Sequence, residues 1–148
     1  MNATKLVCIL ALALGVFHSA QGQMKFRGSD GWGVDTRYEQ LFSSFDLRNY
    51  SGKVTEIDTV TPMPDMGVGI QLVLSTSEGD VNVHLGPAWY VLNQDISFPK
   101  KDEIEVKGCK VYLSGSEFVM PVEIRFEENV LRLRDDEGNP FWNIIREN

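Results

Sequence analysis

A chain of 148 residues with 43% hydrophobic and 24% charged side chains has the composition of one globular domain, not of a disordered or fibrous segment. Its 21 acids outweigh its 14 bases for a formal charge of −7, and the bases sit among acids, as in KKDEIEVKG. Nucleic-acid binding draws its affinity from clustered Lys and Arg that release counterions from phosphates, so nucleic acid is disfavoured as a partner.

The chain opens on MNATK, with one positive charge, followed by the unbroken apolar run LVCILALALGVF and the small-residue segment HSAQG. That order is the layout of a secretory signal peptide, here residues 1–22, cut after Ala20 or Gly22. The run falls short of the roughly 18 apolar residues a membrane span requires. Val7 before Cys8 does not suit a lipid anchor. The expected product is a soluble periplasmic protein with no transmembrane segment after cleavage. Removing the leader takes away one base and no acid, so the mature chain is more acidic still. Cys8 and His18 leave with it, which makes Cys109 and His84 the last of their kinds and rules out an intramolecular disulfide.

Residues 23–50 read as an extension. QMKFRGSDGWGVD is Gly-rich and polar, with Trp32 between two glycines as an aromatic anchor. TRYEQLFSSF then places Tyr38, Leu41, Phe42 and Phe45 at helical spacing, with Asp35 or Thr36 as the cap of one short helix. Over residues 51–148 the period becomes two. GKVTEIDTVT is a first strand, and TPMPDMG is a loop. VGIQLVLST presents Val68, Ile70, Leu72 and Leu74 on one face, SEGD turns, and VNVHL places Val81, Val83 and Leu85 inward. Gly86-Pro87 ends that strand, because proline has no N–H to give the ladder. AWYVLNQD is a short helical or irregular connector. In the next strand Ile104 and Val106 keep one phase and Cys109, Val111 and Leu113 the other, which predicts a bulge or bend at Gly108. FVMPVEIRF and VLRLR complete the set, and DDEGNP leads to the terminal apolar clasp FWNII. Three strands, a short helix, two more strands and a small extra hairpin follow the order of an OB-like Greek-key barrel of five to six strands. A sandwich needs about seven.

The motifs GWG…Y…LF, VHLGPAWY with a following NQ, DEIEVKGCKV and LRDDEGNPFW resemble the exported domain shared by the magnetosome proteins MamS and MamX and by periplasmic relatives. The resemblance covers most of the mature chain and implies an OB-like fold without a defined reaction. Haem attachment in some relatives does not carry over, since no C-x-x-C-H is present, and Cys109 stands where the resemblance leads one to expect serine after Gly108.

No nucleophile motif such as G-x-S-x-G accompanies the lone His84, and the acids fall in turn-like runs, so no enzyme is expected and no cofactor. Strand phase puts His84 with Asn82 on the face away from the core. A rim built from His84, Trp89 and Tyr90 is the candidate surface for an envelope protein or small ligand, against the plainer reading in which Trp89 closes the barrel. Met63, Met66, His84 and Cys109 form an alternative soft-ligand set for copper or iron, against methionines that merely fill gaps. Cys109 itself reads as a small buried core residue, and Arg132 and Arg134 as surface partners of nearby acids. The leading function is thus a non-enzymatic binding or assembly module of the cell envelope, with metal or redox handling second and oligonucleotide binding third.

Overall fold

The alternating segments form six strands in a single sheet. The computed structural model describes residues 30–98 and 102–143, so the leader, residues 23–29 and the last residues of the clasp lie outside the described residues. The strands are β1 (Leu47–Val60), β2 (Gly69–Thr76), β3 (Gly79–Pro87), β4 (Glu103–Leu113), β5 (Ser116–Phe126) and β6 (Asn129–Arg132), with the single-turn helix α1 (Ala88–Val91) after β3. The fold is therefore mainly β. The order across the sheet is β3-β2-β1-β4-β5-β6, every neighbouring pair being antiparallel. β3, at one end of that order, also pairs in parallel with β5 at Val83↔Val119. β1 begins at Leu47, inside the stretch read as an extension, because its first half pairs with β4 and its second half with β2. Lys53 is the crossing point, opposite both Glu103 and Ser75.

The core follows the period-two residues: Val54, Leu72, Leu74, Val83, Leu85, Ile104, Val106 and Ile124 are buried. Each such side chain removed from water contributes about 1.5–3 kcal/mol before entropy is counted. The phase change in β4 is real. Its register shifts between Lys107 and Gly108, and buried positions pass from Ile104 and Val106 to Cys109 and Val111. A Cβ at Gly108 would meet the Met120 carbonyl and the Val119 side chain, so the bulge needs glycine. Val68 departs from expectation: it lies before β2 begins and is exposed.

The one short helix expected near the N-terminus is broken into two. Two 3-10 turns, Glu39–Leu41 and Ser44–Asp46, replace it, and Phe42 between them is extended. Point attachments decide this. Tyr38 and Glu39 are both buried, Phe42 packs on Gly138, and the Ser43 N–H donates to Cys109 Sγ at 3.4 Å. A regular helix would spend the Ser43 N–H on its own i−4 carbonyl, whereas here it goes to Cys109. Phe45 is left 97% exposed, not docked as the helical spacing predicts. Thr36 Oγ1 accepts the Glu39 N–H at 3.3 Å, but the residue at the N-cap is Tyr38, which makes no side-chain cap. Trp32 is a buried anchor whose Nε1–H donates to the Gly67 carbonyl at 3.0 Å.

β3 ends at Pro87, and the Gly86-Pro87 corner is closed from outside by Trp142, whose indole N–H donates to the Trp32 carbonyl at 2.7 Å. Gly86 has φ +147°, and a Cβ there would stand 2.8 Å from the Trp142 ring. Gly86→Ala is therefore expected to cost about 2–4 kcal/mol, from backbone strain and overpacking together. Urea unfolding checks it; an unchanged midpoint would show that the ring has room to move.

Candidate functional site

His84 is placed by the β2–β3 ladder, opposite Gln71, where the register shifts between Ile70 and Gln71. Its neighbours Val83 and Leu85 enter the core, as the alternation requires. The imidazole does point to the other face, but that face is roofed, and His84 is only 4% exposed. Tyr38 reaches over from the N-terminal segment to place its hydroxyl 3.0 Å from Nδ1, and the Phe118 ring of β5 stacks on the imidazole with centroids 3.9 Å apart. Burial, with a further push from the positive charge of Arg134, lowers the His84 pKa to about 4. Burial likewise raises the Tyr38 hydroxyl well above its ordinary range. The pair is neutral at physiological pH.

One edge of His84 meets an open cleft of about 200 Å³. Gln71 of β2 and Asn82 of β3 lie beside it on the same sheet face. The end of β1 with Thr61 and Pro62 forms one wall, and the β4–β5 hairpin from Leu113 to Phe118 forms the other. That hairpin turns on Ser114 and Gly115, both at positive φ, the geometry of a tight two-residue type I′ turn. Glu117 at the cleft mouth is held by Lys110 Nζ at 3.0 Å.

Trp89 and Tyr90 do not join this cleft. Both sit on α1, where Tyr90 is buried against Trp142 at 5.5 Å and Trp89 is half-buried, edge-on to Tyr90 at 6.0 Å. The three residues read as one rim thus fall into two separate places. Of the soft-ligand set, Met63 and Met66 share one turn. The Met66 N–H donates to the Met63 carbonyl at 3.1 Å, and Met66 packs under Gly31. His84 is taken by Tyr38, and the buried Cys109 accepts from Ser43, its thiol pushed up by burial. Among the described residues no hydrogen bond links any two of these four side chains.

Arg134 overturns its expected place on the surface, whereas Arg132 is exposed beside Glu123 at 3.9 Å. Arg134 is 0% exposed. Its Nη2 and Nε donate to the two carboxylate oxygens of Glu39 at 2.8 and 3.2 Å, and Nη1 donates to the Pro121 carbonyl at 2.7 Å. The guanidinium lies over Trp142 at 5.0 Å and Phe42 at 5.6 Å. Burial raises the Glu39 carboxyl pKa while Arg134 works against it. This ion pair ties the N-terminal segment that roofs His84 to the chain beyond β6. Strand phase placed Asn82 beside His84, but Gln71 and Ser116 were missed by sequence reasoning because a polar residue on the outer face of a strand announces nothing until the register shows what stands beside it.

The family model for the MamS/MamX magnetosome protein family matches residues 46–131. No curated protein matches the chain. The matched span runs from the start of β1 into β6 and includes every residue that lines the His84 cleft, while Tyr38, Glu39, Arg134 and Trp142 lie outside it. With more than half of its length under that match, the chain belongs to the MamS/MamX magnetosome protein family.

Proposed function

We propose that this protein is an exported, non-enzymatic binding module of the bacterial envelope, built as an OB-like barrel that takes its ligand or partner in the His84 cleft. The parallel β3–β5 pairing supports the barrel, since it completes a cycle β1-β2-β3-β5-β4 back to β1. The position of the cleft carries the reading. OB-folds bind on the face of strands 2 and 3, between the β1–β2 and β4–β5 loops. Here Gln71, Asn82 and His84 supply that face, Thr61 and Pro62 one loop, and Ser114 and Ser116 the other. Fold analogy gives the location, and the lining gives the chemistry. The non-enzymatic reading rests on coupling. Serines and a glutamate share the cleft with His84, while the hydrogen bond of its Nδ1 goes to the Tyr38 hydroxyl.

A small-molecule screen by saturation-transfer NMR tests this, comparing the parent with Ser116→Trp. Ser116 is exposed, so an indole there fills the cleft without entering the core. Compounds that bind the parent and not the variant are the expected result; a screen in which every binder tolerates the indole removes the cleft from function. Export rests on the leader-like residues 1–22, and recovery of the uncleaved chain from the cytoplasm would overturn it.

A further inference from the structure

We infer that the His84 cleft takes a neutral, hydroxyl-rich ligand of about one sugar ring, which makes the domain a carbohydrate-binding module. This rests on the reading of the cleft as a ligand site and names the class of ligand.

Charge is the first argument. No Lys or Arg lines the cleft, so a phosphate, sulfate or carboxylate would lose its hydration there with no cation to receive it. The one ionised lining group, Glu117, is held by Lys110 at 3.0 Å, so a cationic ligand finds no free partner either. What remains is a set of groups that both donate and accept: the amides of Gln71 and Asn82, the hydroxyls of Ser114 and Ser116, and an uncharged imidazole. Hydroxyl groups also donate and accept, and a site built to bond them discriminates strongly against ligands that lack them.

Shape is the second. A sugar ring has hydroxyls at its edge and C–H groups on its faces. The cleft sets Pro62, Leu113 and the rim of Phe118 beside the amides, so apolar and polar walls are both present. Its volume of about 200 Å³ lies below the roughly 300–1,000 Å³ of sites that enclose drug-sized molecules. One ring of a longer chain fits that scale, and the open mouth lets the rest of the chain continue outside.

The floor of the cleft separates sugar from peptide. A peptide captured by strand addition needs an open sheet edge for its backbone. The floor of this cleft is a sheet face. Gln71 pairs with His84 and Val73 with Asn82 across the β2–β3 ladder, so the β2 edge of β3 is engaged, and the opposite edge meets β5 at Val83↔Val119.

The test is a titration of the ¹⁵N-labelled protein with maltotriose, cellotriose and chitotriose, followed by amide shifts. Saturable shifts at Gln71, Asn82, His84 and Ser116 with at least one of the three are expected. Asn82→Ala and Gln71→Ala, both at solvent-accessible positions, should each weaken that binding by about tenfold, the size of one good hydrogen bond, with an unchanged melting temperature. Glucose 6-phosphate should bind no better than glucose. Silence with all three sugars, or tighter binding of the phosphate, overturns the assignment. A parallel titration with blocked tripeptides distinguishes the two levels of failure. Cleft shifts with peptides alone remove the sugar class and leave the cleft as a ligand site, whereas silence with both removes the site itself.

Discussion

Arg134→Met destabilises the protein by about 3–5 kcal/mol, the loss expected when one partner of a fully buried ion pair is removed. Methionine keeps much of the volume, so the loss arises mainly from the Glu39 carboxylate, which is buried and would then have no cation. The Pro121 carbonyl loses its donor at the same time, and Trp142 and Phe42 lose the guanidinium that lies over them. Burial already raises the Glu39 pKa and Arg134 opposes that rise, so without Arg134 the carboxyl shifts further toward its protonated form and recovers part of the cost. Replacing both members, Glu39→Met with Arg134→Met, should therefore be less damaging than the arginine change alone, because no uncompensated charge remains. Urea unfolding of the two single variants and the double variant gives the coupling directly. A loss below about 1 kcal/mol for Arg134→Met would place the pair in contact with water, where ion pairs contribute that little.

The same residue shows what a linear reading of the chain can and cannot reach. VLRLR alternates cleanly, and Arg132 is exposed where the alternation puts it. β6 ends at Arg132, however, and the N–H groups of Leu133 and Arg134 then both donate to the one carbonyl of Val122. The ladder is broken there, so Leu133 and Arg134 are buried in succession. Local pattern carried the strands well because each alternating run needs only its own residues to declare a buried face. It also located the Gly108 bulge, where the phase visibly changes, and the stop at Gly86-Pro87. It failed wherever a distant segment supplied the environment. His84 lies on the predicted face, and what covers it is Tyr38, 46 positions earlier. The cleft likewise needs the register that sets Gln71 opposite His84 and brings the β4–β5 hairpin across from the end of β1. The aromatic pair Trp89-Tyr90 drew attention by composition, yet Tyr90 packs on Trp142, Trp89 packs on Tyr90, and neither lines that cleft. Large aromatics in a short connector more often anchor it than display it.

Acidification should weaken the fold through His84. An unfolded chain protonates this imidazole near about pH 6.5, whereas the folded protein resists until about 4. Between those values the unfolded state holds more protons, so stability rises with pH across the window. The contribution is fully present above about pH 6.5 and is lost as pH falls toward about 4, an amount on the order of 3 kcal/mol. The groups that set it are the roof and what lies behind it. Tyr38 stays neutral at 3.0 Å, Phe118 offers only a ring, and the charge of Arg134 opposes a second cation. Glu39 acts in the opposite direction. Its folded pKa is raised, so the folded state binds its proton more readily, which offsets part of the His84 loss at the acid end. Unfolding free energies taken across this window should fall as the pH is lowered in the parent, and the slope should be shallower in His84→Gln, which cannot titrate. A variant slope equal to the parent's would assign the effect to the carboxylates. Because the imidazole stays uncharged well below neutral pH, sugar affinity at the cleft should hold constant over the range in which stability declines, so the two titrations separate the fold's dependence on His84 from the ligand's.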